Sequence, residues 1–216
     1  MIRSTLVAVI TAVAIISGCA HQPDPPEAQR TAEVQKLPFH TDGMVQFKIV
    51  DADSPYMHKL VEHVPDGASD PQVRVEHDRW SADRAKPAGE DIFLTAPTRA
   101  DLERFVGSVP SITLPSDREV AFGRVDSADR WRTYIVHSTA SLDGSDIASA
   151  ELTRDAAHDR ISAMVGFTPH GAEQFASVTE KIIGQKLAVL VDGSVIAAPV
   201  IMSKISGGRA EITVAR

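Results

Sequence analysis

The 216-residue chain has one cysteine, Cys19, so it cannot close a disulfide within itself and must be held by packing alone. Aromatic residues make up only 5% of it, which leaves aliphatic side chains to fill the core. No apolar run reaches the roughly 20 residues that a membrane-spanning helix needs. The longest, Leu6–Ile16, is broken only by Thr11. There is no basic block either: 22 Lys and Arg are mixed among 29 Asp and Glu, for a net charge of −7. Phosphate binding needs clustered cations, so nucleic acid is not an expected partner.

Chemistry-bearing patterns are equally scarce. None of the eight histidines falls in a metal-binding spacing, and His58 and His63 lie five apart, off a common helical face. Asp101 and Glu103 sit where carboxylates favour the positive end of a helix, not where a catalytic pair would converge. No Gly-x-Ser-x-Gly elbow occurs, and Gly207-Gly208 lacks the Lys-Ser/Thr of a phosphate loop. Ser206–Arg209 therefore reads as a turn. The expectation is a protein without enzymatic activity, metal or cofactor.

What the sequence does have begins at its N-terminus. Arg3 precedes the apolar stretch Leu6–Ile16, and Ser17-Gly18 place small residues directly before Cys19. This arrangement resembles the lipobox of a bacterial lipoprotein signal peptide. The resemblance implies that residues 1–18 are removed and that Cys19 becomes the lipidated, palmitate-bearing N-terminus. Two or more acyl chains would hold the protein firmly to a membrane. Ala20, in place of aspartate, implies sorting to the outer membrane in a Gram-negative envelope. The segment 19–43 is polar and carries prolines at 23, 25, 26 and 38. Such a segment favours extended conformations of about 3.1 Å per residue and reads as a tether.

The folded region begins near Met44. Val45, Phe47 and Ile49 alternate with Gln46 and Lys48, as in a half-buried strand. Ser54-Pro55 predicts a helix start reaching about His63, and Thr98 another with Leu102, Phe105 and Val106 on one face. Strands are expected at Val73–Glu76, Ile92–Thr95, Val120–Val125 and Thr133–His137. From Leu142 the pattern sharpens. Asp143-Gly144-Ser145-Asp146 leads into a predicted short helix through about Leu152, and Met164–Phe167 reads as a strand. Thr168-Pro169 caps a helix in which Ala172, Phe175, Ala176, Thr179, Ile182 and Ile183 recur at helical spacing, with Gly184 to end it. Leu187–Val191 and Val195–Ile201 flank the hairpin turn Asp192-Gly193. Pro199 marks the second of these strands as an edge or a bulge. Gly207-Gly208 turns the chain into a last strand, Ala210–Val214. The class is α+β: a two-layer mixed or antiparallel sheet with helices on one face.

These motifs carry a family resemblance. Leu142-Asp143-Gly144, Val165–Thr168 into Gly171–Phe175, Leu187–Gly193, Ala198–Ile201 and Ile205–Ile212 resemble, in order and spacing, the head subdomain of the first periplasmic domain of SecD and SecDF. Val45–Val50 and Thr133–Val136 resemble strands of the same periplasmic domain more loosely. The resemblance implies a base-like region over 44–139 and a head-like subdomain over 140–216. It marks Gly144, Gly171, Phe175, Asp192, Gly193, Pro199, Gly207 and Gly208 as motif positions of mainly structural role. SecD-type subunits drive their periplasmic domain with six transmembrane helices, which this sequence does not contain. The expectation is therefore a lipid-tethered head without a proton-driven motor. It would bind polypeptide or an envelope partner, or serve as a structural or regulatory accessory of the Sec translocon.

Overall fold

The computed structural model describes residues 7–11, 34–35, 45–65, 72–81, 89–125, 129–155 and 160–215. In chain order the strands are β1 (Val7–Thr11), β2 (Val34–Gln35), β3 (Val45–Ile49), β4 (Arg74–Trp80), β5 (Gly89–Ala96), β6 (Arg118–Val125), β7 (Arg130–His137), β8 (Leu142–Asp143), β9 (Ile147–Asp155), β10 (Arg160–Phe167), β11 (Leu187–Val191), β12 (Ser194–Ala197) and β13 (Arg209–Ala215). The helices are α1 (Pro55–Val61), α2 (Arg99–Gly107) and α3 (Pro169–Lys181). This is a mixed α+β fold.

Local chemistry explains the helix starts. Thr98 accepts a hydrogen bond from the Asp101 amide at 3.1 Å, and Thr168 one from the Gly171 amide at 3.0 Å. Each satisfies an amide that the first helical turn leaves without a partner. Ser54 occupies the third N-cap position, but its hydroxyl makes no cap bond there. Pro55 alone presets the helical φ of α1. The predicted helix after Asp146 is a correction. Only a single 3-10 turn, Gly144–Asp146, forms, and the chain then runs into β9. Pairing of β9 with β10 along its length supplies more backbone hydrogen bonding than a second helical turn could.

The strands form one branched sheet in two parts. In the first, β8, β3, β11 and β12 lie side by side, and β13, β10, β9 and β2 continue beyond β1. Helix α3 covers one face of this part. Phe175 from α3 is fully buried against Phe47 of β3 and Phe167 of β10, with ring centroids 4.5–5.8 Å apart. Leu142, Ile147, Val165, Leu187, Val189, Ile201, Ala210 and Ile212 complete this core. In the second part β6, β7, β5 and β4 are antiparallel neighbours, backed by α1 and α2 around Leu60, Leu94, Leu102 and Ile135. The two parts join where β12 pairs in parallel with β6 at Ser194–Phe122 and Val195–Gly123. A third cluster, including Val136, Tyr134, Ala188, Leu190 and Val195, packs behind that seam.

The expected edge near Pro199 is also corrected. β12 ends at Ala197 and is flanked by β11 on one side and by β6 and β1 on the other. Pro199 lies beyond it, and its carbonyl accepts the Leu187 amide at 3.0 Å. The strand at Val7–Thr11 was not expected, since that stretch reads as the apolar part of a leader. It pairs antiparallel with β13, from Val7 opposite Ala215 to Thr11 opposite Glu211.

Beside the seam lies a buried ionic cluster. The Lys186 ammonium bonds to Asp91 at 2.9 Å and to Asp78 at 2.6 Å, and Arg132 bonds to the same Asp91 at 2.6 Å. The Arg132 guanidinium lies over the rings of Phe93 and Tyr134, and Lys186 over Trp80. Two cations sharing one buried carboxylate make Asp91 the member whose loss leaves most charge unpaired. Replacing Asp91 with alanine should lower the free energy of unfolding by about 3–5 kcal/mol. Replacing the half-exposed Asp78 should lower it far less, as read by urea denaturation.

Candidate functional site

Two motif positions, Gly144 and Gly171, lie at the start of α3. Asp143 caps the 3-10 turn through the Ser145 amide at 2.8 Å, while the Asp146 carboxylate accepts the Asp143 amide at 3.1 Å. Gly144 begins that turn and is buried. The Asp146 carbonyl accepts the Thr168 amide at 2.8 Å, which pins the turn to the helix start. Gly171 is required by this approach: a β-carbon there would strike the Asp146 carbonyl and sit 2.8 Å from its Cβ. The Ser145 hydroxyl and amide hold the Asp143 carboxyl below its ordinary range.

This junction opens on a polar cleft of about 330 Å³ lined by Asp143, Ser145, Asp146, Thr168, His170 and Gln174. His170 Nδ1 lies 3.3 Å from the Asp146 carboxylate. The carboxylates are already engaged by the turn they cap, and the cleft brings no activated nucleophile with them. It offers a hydrogen-bonding surface. Among the described residues, no three His, Cys, Asp or Glu side chains come together as a metal site.

The remaining motif residues are placed as scaffold. Asp192 and Gly193 have φ of 49° and 71°, the left-handed pair that a tight two-residue hairpin demands. Gly207 and Gly208 form the turn before β13, and the Gly208 carbonyl accepts the Phe167 amide at 3.0 Å. Loop 202–208 is tied to α3 through the Ile205 amide, which donates to the buried Thr179 hydroxyl at 3.0 Å. Cys19 lies outside the described residues.

A second cleft, of about 450 Å³, went unrecognised in the sequence. It lies where the two parts of the sheet meet and is lined by Val50–Asp53, Trp80, Gly89, Glu90, Gly184 and Gln185. The Trp80 indole donates to the Gly184 carbonyl at 2.9 Å, closing one wall beside Lys186. Hydrogen bonds from His77 and Arg79 hold the Glu90 carboxyl below its usual range. The signal available was slight: Lys186 directly before an apolar strand, and Arg132 within one.

The fold perturbs the titration of His137, at the end of β7. Burial, and then the charge of Arg118, push its pKa below 6.5. The folded state thus resists protonation of this imidazole more than the unfolded chain does.

Comparison with known proteins places this site in a family context. Residues 119–215 match the family model for the SecDF P1 head subdomain. The protein translocase subunit SecDF of Thermus thermophilus is 44% identical over 71 residues, covering 33% of this chain and 10% of that protein. The protein translocase subunit SecD of Syntrophobacter fumaroxidans is 26% identical over 198 residues, covering 89% of this chain and 35% of that protein. The chain thus spans between a tenth and about a third of the length of these relatives. A solved structure of the membrane component SecDF that enhances protein export is similar over 78% of this chain and 84% of its own, at 20% identity and a TM-score of 0.32. No helix among the described residues is long and apolar enough to cross a membrane.

Two outcomes follow from the site's geometry. Gly171→Ala should destabilise the fold by about 1–3 kcal/mol, because the Asp146 backbone cannot swing aside as a side chain could. Stability should fall as pH drops below about 6.5, where the unfolded chain gains a proton at residue 137 that the folded chain resists. A comparison of denaturation midpoints between pH 7 and pH 5 in wild type and His137→Gln checks this; the variant should show the smaller loss.

Proposed function

From the premise that residues 119–215 are a SecD-like periplasmic head domain, we propose that the protein is a lipid-anchored, non-enzymatic envelope module that binds polypeptides and takes part in protein export. The family match over the head carries this reading. The Sec translocon is the natural context, since the relatives are translocase subunits. Cys19 supplies the anchor and residues 19–43 the spacer. Residues 44–139 act as a base-like region that supports a head at 140–216, and the outer membrane is the site of attachment.

The α3-backed sheet gives such a module a rigid platform. The hairpin at Asp192-Gly193 projects from it with exposed side chains. A photoreactive residue at Asp192 in living cells should yield adducts with exported polypeptides. Adducts confined to translocon subunits would instead favour the accessory role, without direct substrate binding. Cys19→Ser should abolish palmitate labelling, as checked by metabolic labelling and immunoblotting.

A further inference from the structure

β13 has two long sides. One is hydrogen-bonded to β10 from Gly166–Arg209 through Ile161–Val214. Among the described residues the other is covered by β1 alone, over residues 211–215. On the far side of β1 stands β12, whose Ala197 is its parallel partner through Ala8. The strand position beside β13 is thus bordered by the β13 backbone along its length and by β12 at a single residue, Ala197. Its apolar margin is set by Ala197, Ala210 and Ile212, buried members of the core beneath α3. Main-chain pairing carries little sequence information, whereas a core-facing margin selects apolar residues.

The occupant is the chain's own Val7-Ala8-Val9-Ile10-Thr11. This segment lies within residues 1–18, the stretch read as a leader that processing removes. Its departure would expose the ladder groups of β13 and apolar surface beside them, an edge that folded proteins seldom leave uncovered.

We propose that the slot between β12 and β13 is a strand-acceptance site for an extended apolar polypeptide, and that Val7–Thr11 fills it in cis until processing empties it. The inference rests on the polypeptide-binding reading above and supplies its place and mode: one added strand of about five residues, some 17 Å long. The same arrangement makes the unprocessed chain self-blocked, so that binding begins only with maturation.

The test compares the processed protein, as the cell makes it, with the uncleaved chain retained by Cys19→Ala. Amide hydrogen exchange is read at residues 211–215, with and without a lysine-flanked peptide of sequence Val-Ala-Val-Ile-Thr. In the processed protein the alternate amides of that stretch that face away from β10 should exchange at least tenfold more slowly once the peptide is present. The uncleaved chain should be protected already and unresponsive, and a peptide with proline at the central position should protect neither form. Equal protection of both forms without peptide would overturn the proposal, as would peptide protection that maps away from β13. So would a purified wild-type protein that still carries residues 1–18. Photoreactive residues at Glu211 and Asp192, compared in cells, separate this inference from the broader reading. Polypeptide adducts at Asp192 but not Glu211 remove the slot and leave polypeptide binding standing, whereas adducts at neither remove both.

Discussion

Burial of β11 on both faces is the constraint on which the rest of the structure depends. Leu187 and Val189 point into the core beneath α3, and Ala188 and Leu190 into the cluster behind the seam. A strand with no solvent-facing side must be apolar at every position, and Leu187–Leu190 is. Its backbone is spoken for as well, by β3 on one side and β12 on the other. The motif turns, the helix start at Thr168 and the joining of β12 to β6 are all arranged around this one strand. Lys186, at its threshold, carries charge into the same interior and is tolerated because Asp91 and Asp78 meet it.

The seam explains why the two parts of the sheet hold together rather than swing apart. Hydrophobic contact across it is non-directional, whereas the Lys186–Asp91–Arg132 cluster ties β5, β7 and the start of β11 together through hydrogen bonds of 2.6 and 2.9 Å. Lys48 repeats the device nearby, buried in β3 and bonded to Glu119 at 2.7 Å and to the Ser138 carbonyl at 2.9 Å. Buried cations in or beside strands thus link segments far apart in sequence.

Much of the fold was legible because its determinants are local. Thr98 and Thr168-Pro169 mark helix starts by their own chemistry, and Asp192-Gly193 marks a hairpin because few other pairs accept two positive φ angles. Leu187–Val191 has the bounds its composition implies. Where the reading failed, a distant partner had decided. The capping pattern of Asp143 and Asp146 is real, yet β10 takes the following residues into a strand before a second helical turn forms. Pro199 suggested an exposed edge, but β6 and β1 lie against β12. The Asp91 cluster was invisible because its members stand on four strands or their flanks and no spacing joins them. Gly171 lies against the Asp146 backbone and Phe175 is fully buried, contacts that short sequence motifs alone do not display. The clefts were not legible either, since each is made by segments that meet only in three dimensions.

The pairing of β3 with β11 has a temporal side as well. Residues 45–49 find their partner only at residues 187–191, and the last strand of the core ends at residue 215. A ribosome working from the N-terminus releases β3 long before anything exists for it to pair with. Contacts so distant in sequence form slowly, because closing the loop precedes any gain from the contact. The part of the sheet built on β11 is therefore held open by its own topology until nearly all of the chain has been made.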